Sequence, residues 1–345
     1  MRTSAALTRG RATLAATAVV TLASAQAASA APHPVYGHAA DPGVVRTDAG
    51  RFVALTTGQR APAARGDTAA GPWKSGGAAL TGLGPWSAGG AVWAPDAWPT
   101  PDGWVLYYAA PANGMSGQRC IGVATADTVM GPYTPYDNPL VCPNRDLAPD
   151  DPVPGRPIAN AGVIDPSPFL RSNGQRYLLY RTQRIPSSLR IVRLSSDGTH
   201  AIADSHELRQ SRGIIENPAM VQRHRSYVLF ASVHGWNNCS YATAWFRSRE
   251  LRGFAGRPEH ILMNSAGTHI CGPGGADVAR ALGGGRTRIF LHGWRCEYRS
   301  GVRNCSSTAD VKHRPHYRSM YVGVLGWGPN GKTPRVKDFL AAGGR

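Results

Sequence analysis

The stretch DPSPFLRSNGQRYLLYRT, residues 165–182, opens on an acid, passes through a turn and ends in a run of aromatic and branched side chains. The same order recurs in DPGVVRTDAGRFVALTT, residues 41–57, and in ENPAMVQRHRSYVLFAS, residues 216–232. From the acid to the aromatic residue that starts the apolar run the spacing is 12 residues for Asp165 to Tyr177, and 11 for Asp41 to Phe52 and for Glu216 to Tyr227. WAPDAWPTPDGWVLYYAA, residues 93–110, is another copy, in which Trp93 stands 11 residues before Trp104 and takes the acid's place. A weaker fifth copy, GPGGADVARALGGGRTRIFLHGW, fills residues 272–294.

Unit starts at 41, 93, 165, 216 and about 272 are separated by 52, 72, 51 and about 56 residues, which is the spacing of propeller blades and longer than that of solenoid repeats. Each unit holds a run such as FVALTT, WVLYYAA, YLLYRT, YVLFAS or RIFLHGW, bounded by Gly, Pro, Asn or Asp, which is how buried strands read. Further strand-like stretches follow: CIGVATA, LRIVRLS, YATAWFRS and SMYVGVLGW. No sustained 3.6-residue apolar pattern lies beyond the N-terminus. The sequence therefore predicts an all-β chain, a five-bladed β-propeller around a central channel.

In such a fold the innermost strand of each blade lines the channel, so residues at one equivalent position converge although they are far apart in sequence. An Asp-Pro turn taken alone needs only a side chain that caps backbone amides. Three acids at matched positions, in a chain with 21 acidic residues in all, point instead to a shared site. Two carboxyl groups of opposite ionisation can act together as general acid and general base. A third carboxylate nearby raises the pKa of the acid by like-charge repulsion.

The ordered set of DP at Asp41, WAP at Trp93 to Pro95, IDPSPF around Asp165 and IENPAM around Glu216 resembles glycoside hydrolase family 43 over nearly the whole chain. The resemblance implies an inverting glycosidase of α-L-arabinofuranosides or β-D-xylosides, with Asp41 as general base, Glu216 as general acid and Asp165 as the residue that tunes and orients the acid. It also implies a histidine in a fifth-blade segment, associated with a metal or water cluster on the channel axis. Here that segment is GPGGADV, so Asp277 or His292 would have to stand in for a structural calcium. No cofactor is expected for the reaction, and no metal ligand is assigned. Sugar rings stack on flat side chains in concave sites, which makes Trp93, Trp98 and Trp236 the expected platforms. His292, in FLHGW, resembles a family YHxW segment and is counted with them.

Residues 1–30 carry Arg2, Arg9 and Arg11, no acid, the apolar stretch LAATAVVTLA and the triplet Ala28, Ser29, Ala30, the pattern of a cleaved secretory signal. Residues 31–345 then form a single domain, secreted and monomeric, with no transmembrane segment, since no later run reaches 18 apolar residues. Six cysteines in an exported chain suggest disulfides. Six allow 15 connectivities; local preference favours Cys120 with Cys142 and Cys296 with Cys305, leaving Cys239 with Cys271. Pro111 to Gly117 and residues 144–156 read as loops above the channel.

The formal charge is +17; removal of three arginines and no acid with the signal leaves +14. Arginines are scattered through every unit, and Lys74, Lys312, Lys332 and Lys337 are the only lysines. Without a basic run, a nucleic-acid partner is not expected; attraction to an anionic envelope or acidic polysaccharide fits the charge better. A lectin-like propeller that keeps the sugar pocket without turnover is the competing class.

Overall fold

The computed structural model describes residues 31–143, 161–279 and 287–342. The expected signal segment and the expected loop at 144–156 lie outside the described residues, and Ala31–Arg345 forms one compact unit. No helix among the described residues is long and apolar enough to cross a membrane.

Five antiparallel meanders account for the repeat. Blade 1 contains β1 (Gly43–Arg46), β2 (Phe52–Leu55), β3 (Pro62–Gly66) and β4 (Trp73–Ala78). Blade 2 contains β5 (Trp93–Thr100), β6 (Gly103–Pro111), β7 (Arg119–Ala126) and β8 (Thr134–Pro135), with the expected Pro111–Gly117 loop joining β6 to β7. Blade 3 contains β9 (Val163–Leu170), β10 (Arg176–Thr182), β11 (Ser187–Arg193) and β12 (His206–Ser211). Blade 4 contains β13 (Ile215–Arg223), β14 (Ser226–Val233), β15 (Ala242–Ser248) and β16 (His260–Met263). Blade 5 contains β17 (Cys271–Ala279), β18 (Arg288–Tyr298), β20 (His316–Trp327) and β21 (Pro334–Phe339), while β19 (Gly301–Asn304) forms a hairpin on β18.

The second strand of each blade is apolar on both faces because each blade is packed on both sides. Along β6, Val105 and Tyr107 join Leu178 and Tyr180 of blade 3, whereas Leu106 and Tyr108 join Leu55 of blade 1. Along β10, the alternate residues Tyr177 and Leu179 join Met220 and Leu229 of blade 4. Strand period 2 thus sends successive side chains into two different blade interfaces. The ring closes where Phe52 and Ala54 meet Phe290 and Val322. There the N-terminal arm pairs with β20, through Val35 N–H to Met320 O at 2.8 Å and Ala39 N–H to Arg318 O at 2.9 Å.

At the channel each innermost strand turns through a residue with left-handed backbone: Asp41 (φ 47°), Ala94 (42°), Asp165 (58°), Asn217 (45°) and Gly275 (58°). In blades 2 to 5 that residue and the next oppose a single residue of the neighbouring strand, a β-bulge. Proline follows in four of the five cases, at a position where the missing N–H costs no ladder bond. This register corrects the matching of the units. The equivalent of Asp41 and Asp165 is Ala94 in blade 2 and Asn217 in blade 4, so Trp93 and Glu216 each stand one residue earlier. Counting to the next aromatic residue misses this because turn lengths differ between blades.

Disulfides join Cys120 to Cys142, Cys239 to Cys271 and Cys296 to Cys305, the three expected pairs. Non-reducing peptide mapping should recover Cys296 linked to Cys305 across the β18–β19 hairpin. Replacing both with serine should lower stability by about 2–3 kcal/mol in denaturant melts. Phe230→Ala, at the fully buried interface of blades 4 and 5, should cost about 3–5 kcal/mol.

Candidate active site

Asp41 and Asp165 enter the same axial channel from their left-handed turns, lined also by Ala94, Asn217 and Gly275. The Asp41 carboxylate accepts from Thr57 Oγ1 at 2.8 Å and from Arg318 Nη1 at 3.1 and 3.2 Å. Its own N–H donates to His292 Nδ1 at 3.1 Å. Burial by itself would raise the Asp41 pKa, but the charge of Arg318 and the bonds from Thr57 and Arg318 outweigh it and hold the carboxyl below its ordinary value. Asp41 is therefore ionised around neutral pH.

Asp165 and Glu216 share one cation. Arg181 places Nε 3.7 Å from Asp165 Oδ2 and Nη1 3.4 Å from Glu216 Oε2, and all three side chains are buried. Asn217, in the left-handed position next to Glu216, donates its N–H to Asp165 Oδ2 at 3.1 Å. Burial, followed by repulsion from Glu216, pushes Asp165 up to about 7 despite Arg181. Burial raises Glu216 as well, with Arg181 opposing it. The site thus holds one carboxylate biased towards ionisation beside a pair biased towards keeping a proton, the division that acid–base chemistry on two faces of a bond requires.

Two of the expected platforms stand beside these groups. Trp93 is 37% exposed, and Arg119 lies over its ring with Cζ 3.5 Å from the centroid. Trp236 is 45% exposed, stacked on Trp294 at 6.0 Å, with Arg318 Cζ 5.0 Å from its ring. Trp98 does not join them. Five residues further along β5, it lines the opposite end of the channel with Arg46 and Met220 and packs into the interface of blades 2 and 3.

His292 is also displaced from its expected role. Its side chain is completely buried, lies against Tyr241 with ring centroids 5.6 Å apart and sits behind Gly275. It supports Asp41 from within the wall and offers no surface to a sugar. Burial drives its pKa down to about 3, so the ring is neutral. Because Nδ1 accepts from the Asp41 amide, the proton is assigned to Nε2. A calcium ion on the axis finds no fitting donor set in this arrangement. Gly275 and Ala276 line the channel where the family histidine is expected, His292 has Nδ1 committed to the Asp41 amide, Asp277 Oδ2 accepts from Val44 N–H at 2.7 Å, and among the described residues no three His, Cys, Asp or Glu side chains are placed to hold a metal ion.

Arg181, Arg318, Thr57 and Tyr241 belong to the site and were not picked out from the sequence. Arg181 had a signal, since it follows the apolar run of the third unit in YLLYRT. Arg318 had none: it lies on the third strand of blade 5 and reaches Asp41 across 277 residues.

The family model described as "Glycosyl hydrolases family 43" matches residues 32–308. A search of curated proteins finds no significant match. Among solved structures, the chain is similar to a thermostable family-43 glycoside hydrolase (TM-score 0.67, 16% identity, covering 90% of this chain and 95% of that one). It is similar to an exo-1,5-α-L-arabinanase from a bovine ruminal metagenomic library (0.65, 19%, 89% and 99%). It is also similar to an α-L-arabinanase of Cellvibrio cellulosa complexed with arabinohexaose (0.65, 18%, 88% and 96%). At these identities the structural likeness is one of fold.

The geometry sets two expected outcomes. A folded-state pKa near 7 for Asp165, above its unfolded value of 3.8, contributes stability that is complete below the unfolded value and lost as pH rises through 7. Asp165→Asn should therefore gain stability relative to the parent between pH 5 and pH 9, read from thermal melts at both pH values; a constant difference would refute the shift. Gly275→Ala should destabilise by about 1–3 kcal/mol, because its Cβ would lie 2.5 Å from His292 Nδ1 and 3.0 Å from Asp41 Oδ1 at a φ of +58°. Urea titration of this variant measures the loss.

Proposed function

Since the chain belongs to glycosyl hydrolases family 43 and is a glycosidase of O-glycosyl compounds, we propose that it is a secreted, inverting enzyme acting on pentosyl glycans of the arabinan or xylan type. The observation that carries this reading is the opposite ionisation bias of Asp41 and the Asp165–Glu216 pair within one buried site. The arabinanases among its structural neighbours favour an arabinose-containing substrate. The three disulfides and the signal-like N-terminus favour export.

In the proposed reaction Asp41 takes a proton from water as its oxygen attacks the anomeric carbon. Glu216 gives its proton to the leaving glycosidic oxygen as the C–O bond breaks. Water supplies the new hydroxyl, the leaving sugar receives the proton from Glu216, and attack from the face opposite the leaving group inverts the anomeric configuration. Burial and the repulsion between Asp165 and Glu216 keep one proton on this pair, against the pull of the shared Arg181. Arg318 and Thr57 keep Asp41 charged and aimed.

Glu216→Gln should lose about 10²–10⁴-fold in turnover on unactivated pentosides and far less on aryl pentosides whose leaving groups need no proton. Asp41→Asn should lose both, because each substrate needs activated water. Proton NMR of the first-formed sugar should show inversion; a retained product would overturn the assigned roles. kcat/KM should fall on the acid side as Asp41 gains a proton, below the ordinary carboxylate range, and on the alkaline side as the Asp165–Glu216 pair loses its proton near pH 7 or above. Screening on arabinan, xylan and aryl pentosides identifies the glycan. Binding to all with hydrolysis of none would favour a lectin.

A further inference from the structure

Among the described residues Arg119 covers one face of Trp93 at 3.5 Å, no other ring or cation stacks on it, and the residue is 37% exposed. The face opposite Arg119 is thus the one left for a sugar to stack on. Arg119 is itself fixed. Its Nη1 donates to Ala91 O at 2.8 Å and Ala109 O at 3.3 Å, which anchors the guanidinium to the blade that carries Trp93. Its backbone N–H donates to Gln183 Oε1 at 2.7 Å, two residues beyond Arg181, and the neighbouring Gln118 accepts from Gly162 N–H at 2.7 Å, at the start of the strand carrying Asp165. The stack is thus tied across blades 2 and 3 to the backbone that positions Asp165 and Arg181. Arg119 is only 8% exposed, and the Asp165 carboxyl is near enough for its charge to act on the guanidinium.

We propose that Arg119 and Trp93 act as one sugar-binding unit, in which Arg119 is the positioning residue that sets the indole to receive the pentosyl residue adjoining the one being cleaved. This rests on the pentosidase reading above. A planar guanidinium lying flat on the ring fixes the ring plane in a way that an ammonium cannot. The unit accordingly determines how well a chain is held, and leaves the chemistry to the carboxylates.

The test compares Arg119→Met and Arg119→Lys with Trp93→Ala and the Trp93→Ala/Arg119→Met double variant, on a short aryl pentoside and on arabino- and xylo-oligosaccharides of increasing length. Arg119→Met should raise KM for the oligosaccharides about tenfold, with a much smaller change in kcat and little effect on the aryl pentoside. Arg119→Lys should recover only part of the loss. The double variant should be no worse than Trp93→Ala alone, because the two residues act through one ring. Thermal melts separate this from general unfolding. If Arg119→Met proves too unstable to assay, Arg119→Lys decides, and a KM equal to the parent's on the longer oligosaccharides overturns the proposal. Additive effects of the two residues, or losses on the aryl pentoside as large as those on oligosaccharides, also overturn it. Oligosaccharide hydrolysis by the parent with an unchanged KM in the Arg119 variants sinks this proposal alone. Failure of the parent to bind or cleave any pentosyl oligosaccharide sinks it together with the reading on which it rests.

Discussion

Asp41, Asp165 and Glu216 are buried together with only two guanidiniums, Arg318 and Arg181, in direct contact with them, Asp96 adds a further buried carboxyl to the same channel, and the rest of the site follows from that imbalance. A buried charge without a partner is costly, so a cluster with more carboxyl groups than cations lowers its energy by retaining a proton. Where the proton stays is decided by how the cations are shared. Arg318 and the Thr57 hydroxyl serve Asp41 alone, whereas Arg181 is divided between Asp165 and Glu216 at longer range. The proton therefore belongs to the pair, and a base and an acid coexist within one channel at the same pH.

The backbone makes this clustering possible. A left-handed residue repeated once per blade, in a bulge in blades 2 to 5, turns the innermost strand and brings its side chain or its N–H to the axis. In blades 1 and 3 the position carries a carboxylate. In blade 4 it carries Asn217, whose N–H bonds to Asp165, with Glu216 immediately before it. In blade 5 it is glycine, and the space gained lets His292 approach Asp41. One structural device thus has a different use in each blade.

The exposed tryptophans at the mouth follow a second shared pattern. Each lies against an arginine: Trp93 against Arg119, and Trp236 against Arg318, which also holds Asp41. A flat cation under a flat ring fixes an otherwise mobile surface side chain. Through Arg318, the platform at Trp236 and the orientation of Asp41 depend on the same guanidinium.

The repeat, the blade number and the positions of Asp41, Asp165 and Glu216 could be read from the sequence, because they depend on local order: an acid, a turn and an apolar strand recurring at blade spacing; the disulfide pairs follow a local preference that left other connectivities open. The doubly apolar second strands also announced their burial on both faces. Three things could not be read there. The one-residue offset of Glu216 is hidden in a count to the next aromatic residue because the turns differ in length between blades. Trp98 and His292 have the chemistry of sugar contacts, but position along a strand and burial behind Gly275 remove them from the mouth. Arg318 and Arg119, which set the charge on Asp41 and the plane of Trp93, come from third strands whose sequence carries no sign of the axis, and the sharing of Arg181 between two acids is equally absent from its place after the apolar run. Local chemistry is written in the order of residues, whereas the sharing of a cation between two acids exists only once the ring has closed and distant strands face one another.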